Sequence, residues 1–292
     1  MTVYIGSNEI LDAKLGSDQV EKLYLGETEV WSNTPPTPPE PIKALKFSCE
    51  GSQQIYLALD KLSVLTPSFE YSLDGGNTWN SWDYSAVSFG NGVDFYLRGM
   101  NTVLSNSNGN HVLFKFANNS NLVDCTGNIM HLFDYTQDLT AFPNDATSYG
   151  ASCFFTSCQA LRTPPDLPAT TLVSHAYSEM FSGCSHLIHA PKLPATTMTD
   201  SGYRWMFQNC YNLEEIPYLP ATTMANRCYG RMFYGCSKIK MSATQTGEYV
   251  NEFPLPATYT STQLGDMFTN TGGTFTGTPT AQMYYTSNEV IS

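Results

Sequence analysis

The chain has 292 residues, enough for two or three compact domains, and a formal net charge of −12. That sign, with no basic run anywhere, argues against a nucleic-acid backbone as partner. With 41% hydrophobic but only 14% charged residues, and no apolar run near the ~18 residues of a membrane span, the pattern is one of short strands and turns without membrane insertion.

The opening residues Met1 to Gly6 have neither a basic n-region nor an apolar h-region, so no secretory signal is expected. Ile5-Gly6-Ser7-Asn8-Glu9-Ile10, Leu15-Gly16-Ser17-Asp18-Gln19-Val20 and Leu25-Gly26-Glu27-Thr28-Glu29-Val30 follow one pattern at a period of ten. Gly beside Asn, Asp or Thr marks a turn, and the flanking aliphatics mark short strands. The reading is a small β-repeat module over residues 1–31, closed by Trp31, too small per unit to bury its own apolar face. Residues 32–43 follow as a Pro-rich linker. Its five prolines in the seven residues from Pro35 to Pro41 predict an extended polyproline-II spacer.

Residues 44–119 read as an all-β, sandwich-like domain. Ala44 to Phe47, Gln54 to Leu59, Val93 to Leu97 and Val112 to Phe116 have the apolar runs or alternation of strands. Glu70 to Trp79 predicts a hairpin whose Asp74-Gly75-Gly76 can supply positive φ values.

Residues 120–292 carry an internal repeat. Cys158, Cys184, Cys210 and Cys236 stand 26 apart, each with a Phe three residues earlier (Phe155, Phe181, Phe207, Phe233) and an aliphatic three residues later (Leu161, Leu187, Leu213, Ile239). Tyr177, Tyr203 and Tyr229 share another slot, as do Met180, Met206 and Met232. Leu-Pro-Ala-Thr-Thr recurs at Leu167, Leu193 and Leu219. Degenerate units flank these, one around Leu132-Phe133 and Phe142, the other starting at Met267-Phe268. The expected architecture is a solenoid with inward columns of Phe, Cys and Leu, and the Tyr-x-x-Met-Phe stretch spaced as a helical turn. The cysteines are expected to be reduced, buried, small hydrophobes.

The order Phe-x-x-Cys-x-x-Leu followed by Pro resembles the BspA-like (Treponema-type) leucine-rich repeat. The Met-Phe-x-x-Cys version with Leu-Pro-Ala-Thr-Thr is similar to repeats of proteins from gut Bacteroidetes and their phages. There a Tyr-Ser-x-Asp-Gly-Gly-x-Thr-Trp β-domain precedes the repeats, as Tyr71 to Trp79 does here. Tyr24 to Trp31 is similar to short repeats that open phage tail and virion proteins. The resemblance implies a virion structural protein, a tail or head fibre or appendage, made in the host cytoplasm and carried on the particle. Residues 1–31 would bind other virion proteins, the repeats would bind a host-surface glycan or protein, and a homo-oligomer such as a trimer would suit a fibre. A bacterial surface adhesin or secreted leucine-rich-repeat protein is the second reading. An Asp-box glycosidase is a third, because Ser72, Asp74, Gly76, Thr78 and Trp79 match that box; the match occurs once and without an arginine set for a carboxylate substrate.

No catalytic constellation, cofactor motif or metal set stands out, so a non-enzyme without cofactor is expected. His186 and His189 lie three apart, but the same slots one repeat later hold Asn212 and Glu215. Beside the fixed columns the neighbouring slots vary. That variation predicts a ligand surface made of Trp205, Tyr211, Tyr218, Tyr234, Arg204 and Arg231, the aromatic and arginine types that dominate contact sites.

Overall fold

The computed structural model describes residues 41–59, 65–253, 255 and 258–286 and, before them, the strand residues among the first 32. The residues between those strands and residues 33–40, and with them the polyproline expectation for the 32–43 linker, lie outside the described residues. Strand β1 (Tyr4–Ile5) pairs antiparallel with β2 (Asn8–Glu9), β3 (Lys14–Leu15) with β4 (Asp18–Gln19), and β5 (Lys22–Leu25) with β6 (Thr28–Ser32). The ten-residue sequence period is thus a period of antiparallel strand pairs. Met1–Ile42 forms one compact unit and Lys43–Ser292 another.

The second unit begins with β7 (Leu45–Cys49), β8 (Ser52–Leu59), β9 (Phe69–Ser72), β10 (Asn80–Ser81), β11 (Val87–Gly90), β12 (Phe95–Gly99), β13 (Val112–Phe116) and β14 (Val123–Thr126). Strands β7, β12 and β13 alternate buried and half-buried positions, as period-two patterning requires of a strand with one face inward. Their inward rings join two sheets. Phe47 of β7 stacks on Phe114 of β13 at 4.8 Å, and Phe95 of β12 lies 6.1 Å from Phe89 of β11. One sheet has the order β11-β8-β13. The other runs β10-β9-β12-β7-β14 and ends on β15 (Leu161–Thr163), which comes from the repeat region and pairs parallel with β14.

The repeats follow from a simple division of backbone donors. In residues 175–184 every second N–H stays within the segment: those of Ala176, Ser178, Met180, Ser182 and Cys184 donate to carbonyls three residues back. The intervening N–H groups of His175, Tyr177, Glu179, Phe181 and Gly183 donate to Asp200, Gly202, Arg204, Met206 and Gln208 in the next repeat. No backbone donor in the stretch is left over, which is what a buried segment needs. The result is a run of β-turns laid against its neighbour. It corrects the expected short helical turn. The inward spacing of Tyr177, Met180 and Phe181 is the same in either arrangement, but helical bonding would leave nothing to join one repeat to the next. Among the described residues the only helical pieces are a 3₁₀ turn at Ile129–Leu132 and α1 at Ser261–Leu264.

The turn run places every fourth residue at positive φ: His175, Glu179 and Gly183, then Ser201, Trp205 and Asn209, then Arg227, Arg231 and Gly235. For a side chain other than glycine that backbone costs about 1–2 kcal/mol, offset here by hydrogen bonds on both sides of each residue.

Inside, the columns stack. Phe155, Phe181, Phe207, Phe233 and Phe268 form a file with centroids 5.7–5.8 Å apart. Tyr177, Tyr203 and Tyr229 form a second, at 6.0 and 5.8 Å. Each column thiol donates to the Phe carbonyl of the preceding repeat: Cys184 to Phe155 (3.1 Å), Cys210 to Phe181 (3.1 Å) and Cys236 to Phe207 (2.9 Å). The degenerate unit before Cys158 has Ile129 where the others have that Phe, and Cys158 uses Phe114 of β13 at 2.8 Å. The sheet region therefore serves the first repeat as a neighbouring repeat would. Phe142 closes the start of the Tyr file edge-on at 5.2 Å, and Phe253 closes the end of the Phe file at 5.4 Å. Around that end β16 (Lys240–Ser242), β17 (Asn251–Phe253), β18 (Gly272–Gly273) and β19 (Met283–Tyr285) make a sheet of order β17-β19-β16-β18. The chain is thus mainly β, in several sheets.

Candidate ligand groove

The hydrogen bonds between repeats identify equivalent positions. Glu179 donates to the carbonyl of Arg204, Trp205 to that of Gly230 and Arg231 to that of Gly265. Arg204, Gly230 and Gly265 therefore occupy one slot in successive layers. After Arg204 the slot carries no side chain twice running, and a trough of about 350 Å³ opens there. Arg204, Arg227 and Arg231 line it, and Asn226, Ser261 and Thr262 add amide and hydroxyl groups. No apolar side chain contributes to its wall.

The charges in the trough are only partly paired. Arg231 bonds Asp266, with Nε and Nη2 at 3.1 and 3.0 Å from one carboxylate oxygen. Among the described residues neither Arg204 nor Arg227 makes an ion pair. Burial, followed by repulsion from Arg227, holds the Arg204 guanidinium below its ordinary range; Glu179 opposes this, Arg231 adds to it and Asp200 opposes it less. Burial raises Glu179 above the ordinary carboxylate range, partly offset by Arg204. Such a set suits binding an anion by charge-assisted hydrogen bonds.

The remaining predicted surface residues divide. Trp205 adjoins the trough, its ring 3.5 Å from the Arg204 guanidinium carbon, and Tyr234 lies 5.7 Å from that of Arg231. Trp205 is half-buried, at φ 57°, with its indole N–H enclosed. Tyr211 and Tyr218 are about half exposed (51% and 49%) and do not line the trough. Sequence reasoning missed Arg227. The signal available was the slot pattern, since the residue lies three before the Gly230 that leaves space beside it.

The chain's other two arginines are occupied. Arg98 sits between the rings of Trp79 and Tyr135, at 3.8 and 4.0 Å, and bonds Glu70 at 2.8 Å. Arg162 bonds Asp124, Nε to Oδ1 at 2.9 Å. His186 is held by the Gln159 carbonyl (2.8 Å) and His189 by Glu215 (2.9 Å), so the two are tied down separately. Among the described residues no group of three or more His, Cys, Asp or Glu is placed to hold a metal ion.

The Ser72 to Trp79 box is spent on its own turn. Ser72 Oγ donates to Asp74 Oδ1 (2.7 Å) and accepts the Gly76 N–H (2.9 Å), while the Thr78 hydroxyl and N–H donate to Asp74 at 2.6 and 2.9 Å. Gly75 and Gly76 take φ of 72° and 83°, the backbone that favours glycine. The Thr78 hydroxyl first, then its N–H and Ser72, hold the Asp74 carboxyl down at about 2. An aspartate so engaged shapes a hairpin and is a poor proton donor at neutral pH.

All eight cysteines are buried, and none is joined in a disulfide. Burial pushes Cys158 up to about 12 and Cys184, Cys210 and Cys236 well above the ordinary thiol range, so none of these four offers a thiolate. No helix among the described residues is long and apolar enough to cross a membrane. No protein-family model, curated protein or solved structure matches the chain.

Proposed function

We propose that the chain is a non-enzymatic virion part, a bacteriophage fibre or appendage on tail or head, whose repeats bind a host-surface glycan or protein. In this reading residues 43–292 join a sandwich-like β-domain to a leucine-rich-type solenoid, and residues 1–31 dock on other virion proteins. The observation that carries it is the pairing of two different periodicities in one chain. Three ten-residue units of paired strands, each too short for its own core, stand ahead of a proline-rich sequence. Behind it, 26-residue units keep their inward columns fixed while their outward slots change. Units of the first kind need a partner surface, and units of the second kind present one. Several copies on a particle would turn weak single contacts into firm attachment.

The test is particle composition. Mass spectrometry of purified virions should find the full chain, and deletion of residues 1–31 should leave the repeats folded by circular dichroism yet remove the protein from particles. Equal incorporation of the truncated chain would overturn the docking role, and absence of the full chain from virions would overturn the virion reading.

A further inference from the structure

We infer that the trough between Arg204, Arg227 and Arg231 recognises the acidic group, carboxylate or sulfate ester, of an anionic oligosaccharide. This rests on the reading above only in taking that sugar to be displayed on a host surface. The chemistry of the wall selects the class. Three of the chain's five arginines converge there in a protein of net charge −12, and one carboxylate, Asp266, pairs with only one of them. Glu179 and Asp200 attract Arg204 without an ion pair, so the guanidinium groups of Arg204 and Arg227 keep donors that an anion can take. Arg227 is exposed and Arg204 half-buried, so both can be reached from solvent.

The size and make-up of the trough exclude the denser alternatives. Duplex nucleic acid carries one charge per ~1.7 Å and needs a basic track. Here the arginines end within one trough, and the chain's other two are tied to Glu70 and Asp124. An acidic peptide would bring an apolar anchor, and protein contact sites centre on such anchors. The wall offers it none. It offers Asn226, Ser261 and Thr262, neutral groups that can exchange hydrogen bonds with ring hydroxyls, over a floor kept open by Gly230 and Gly265. A guanidinium fork meets a carboxylate or sulfate in the same bidentate way, so both belong to one proposal.

The test is isothermal titration calorimetry of the full chain with an oligogalacturonate, a heparin-derived hexasaccharide and neutral cellohexaose. At least one acidic probe should bind, more weakly as salt rises, with the neutral one at least about tenfold weaker. Which acidic probe binds tells uronate from sulfate. Arg227→Ala and Arg204→Ala should each weaken binding about tenfold, Arg227→Lys less, and Lys46→Ala in the β-domain not at all, all with unchanged melting. Equal binding of the neutral probe, no acidic binding tighter than about 1 mM, or full binding by the Arg204→Ala/Arg227→Ala double variant would overturn the inference. Tighter binding of duplex DNA or a polyglutamate peptide than of either acidic sugar would overturn the sugar assignment. The titration needs no particle. Its failure leaves the incorporation experiment untouched, and failure of incorporation leaves the titration to be read by itself.

Discussion

In the sheet region the rings of Phe47, Phe95, Phe114 and Trp82 meet at interplanar angles from 15° to 69°. Along the repeats Phe155, Phe181, Phe207, Phe233 and Phe268 lie within 4–6° of parallel, at one spacing. Both are close-packed aromatic cores. The first is a closed cluster in which each ring has its own set of neighbours. The second is a file in which each inner ring touches a copy of itself on either side. A closed cluster holds its shape by mutual wedging, whereas a file must be ended. Strand β13 ends this one on one side and Phe253 on the other. The file also leaves its outer slots free of packing duties, and the arginine trough lies among those.

The contrast is tested most strongly at Phe207, the middle of the file. Phe207→Ala removes two stacking partners at once and leaves a hole that the rigid turn run cannot close, at a cost of about 3–5 kcal/mol. In a unit of this size that is a fall in melting temperature on the order of 10 °C by calorimetry. Phe89→Ala, near the edge of the sheet cluster, should cost less. If the two variants melted alike, the file would be no more constrained than the cluster.

Next in size is the thiol column. Cys210→Ala removes a buried sulfur and one hydrogen bond to Phe181, whose carbonyl keeps the Cys184 N–H, so the cost should stay near 1–2 kcal/mol in chemical denaturation. The column also sets an alkaline limit. Unfolded thiols ionise from about their ordinary 9.0, while folded Cys158 stays neutral up to about 12. The stabilisation is therefore complete below pH 9 and lost as pH rises toward 12. The sheet region adds Cys125, also buried and raised. A melting temperature that stayed flat between pH 9 and 11 would show that the thiols are not enclosed.

These columns were legible because repetition states the same fact several times. Cys and Phe recurring at one interval can serve only a shared interior, and the alternation of Leu45, Phe47 and Cys49 or of Val112, Phe114 and Phe116 marks strands as plainly. The turn run was not legible. Tyr177, Met180 and Phe181 have the spacing of a helix, and the positive-φ positions are filled by Glu179, Trp205 and Arg231, residues that do not advertise such a backbone. Gly183, Asn209 and Gly235 share one such slot and were the available clue. The thiol acceptors and the trough were hidden for another reason. Cys210 meets Phe181 and Arg204 faces Arg227 only once the layers are stacked, and pattern within a single repeat carries no information on what lies above it.

A smaller effect, of opposite sign, is expected in the Tyr file. Tyr203 lies between Tyr177 and Tyr229 with its hydroxyl enclosed and without a hydrogen-bond partner, and burial raises its ionisation above the ordinary phenol range. An enclosed hydroxyl without a partner costs about 1–3 kcal/mol of lost hydration. Tyr203→Phe keeps both stacks and removes that cost, so it should leave stability unchanged or raise it. In the sheet region Tyr84 donates its hydroxyl to the Pro67 carbonyl, and the same substitution there should be destabilising by about 1 kcal/mol. Opposite signs for one chemical change would separate the two cores by what they require of a ring: the file asks only for its faces, the cluster also for its polar edge. A loss at Tyr203 as large as that at Tyr84 would mean that the file, too, satisfies its hydroxyls.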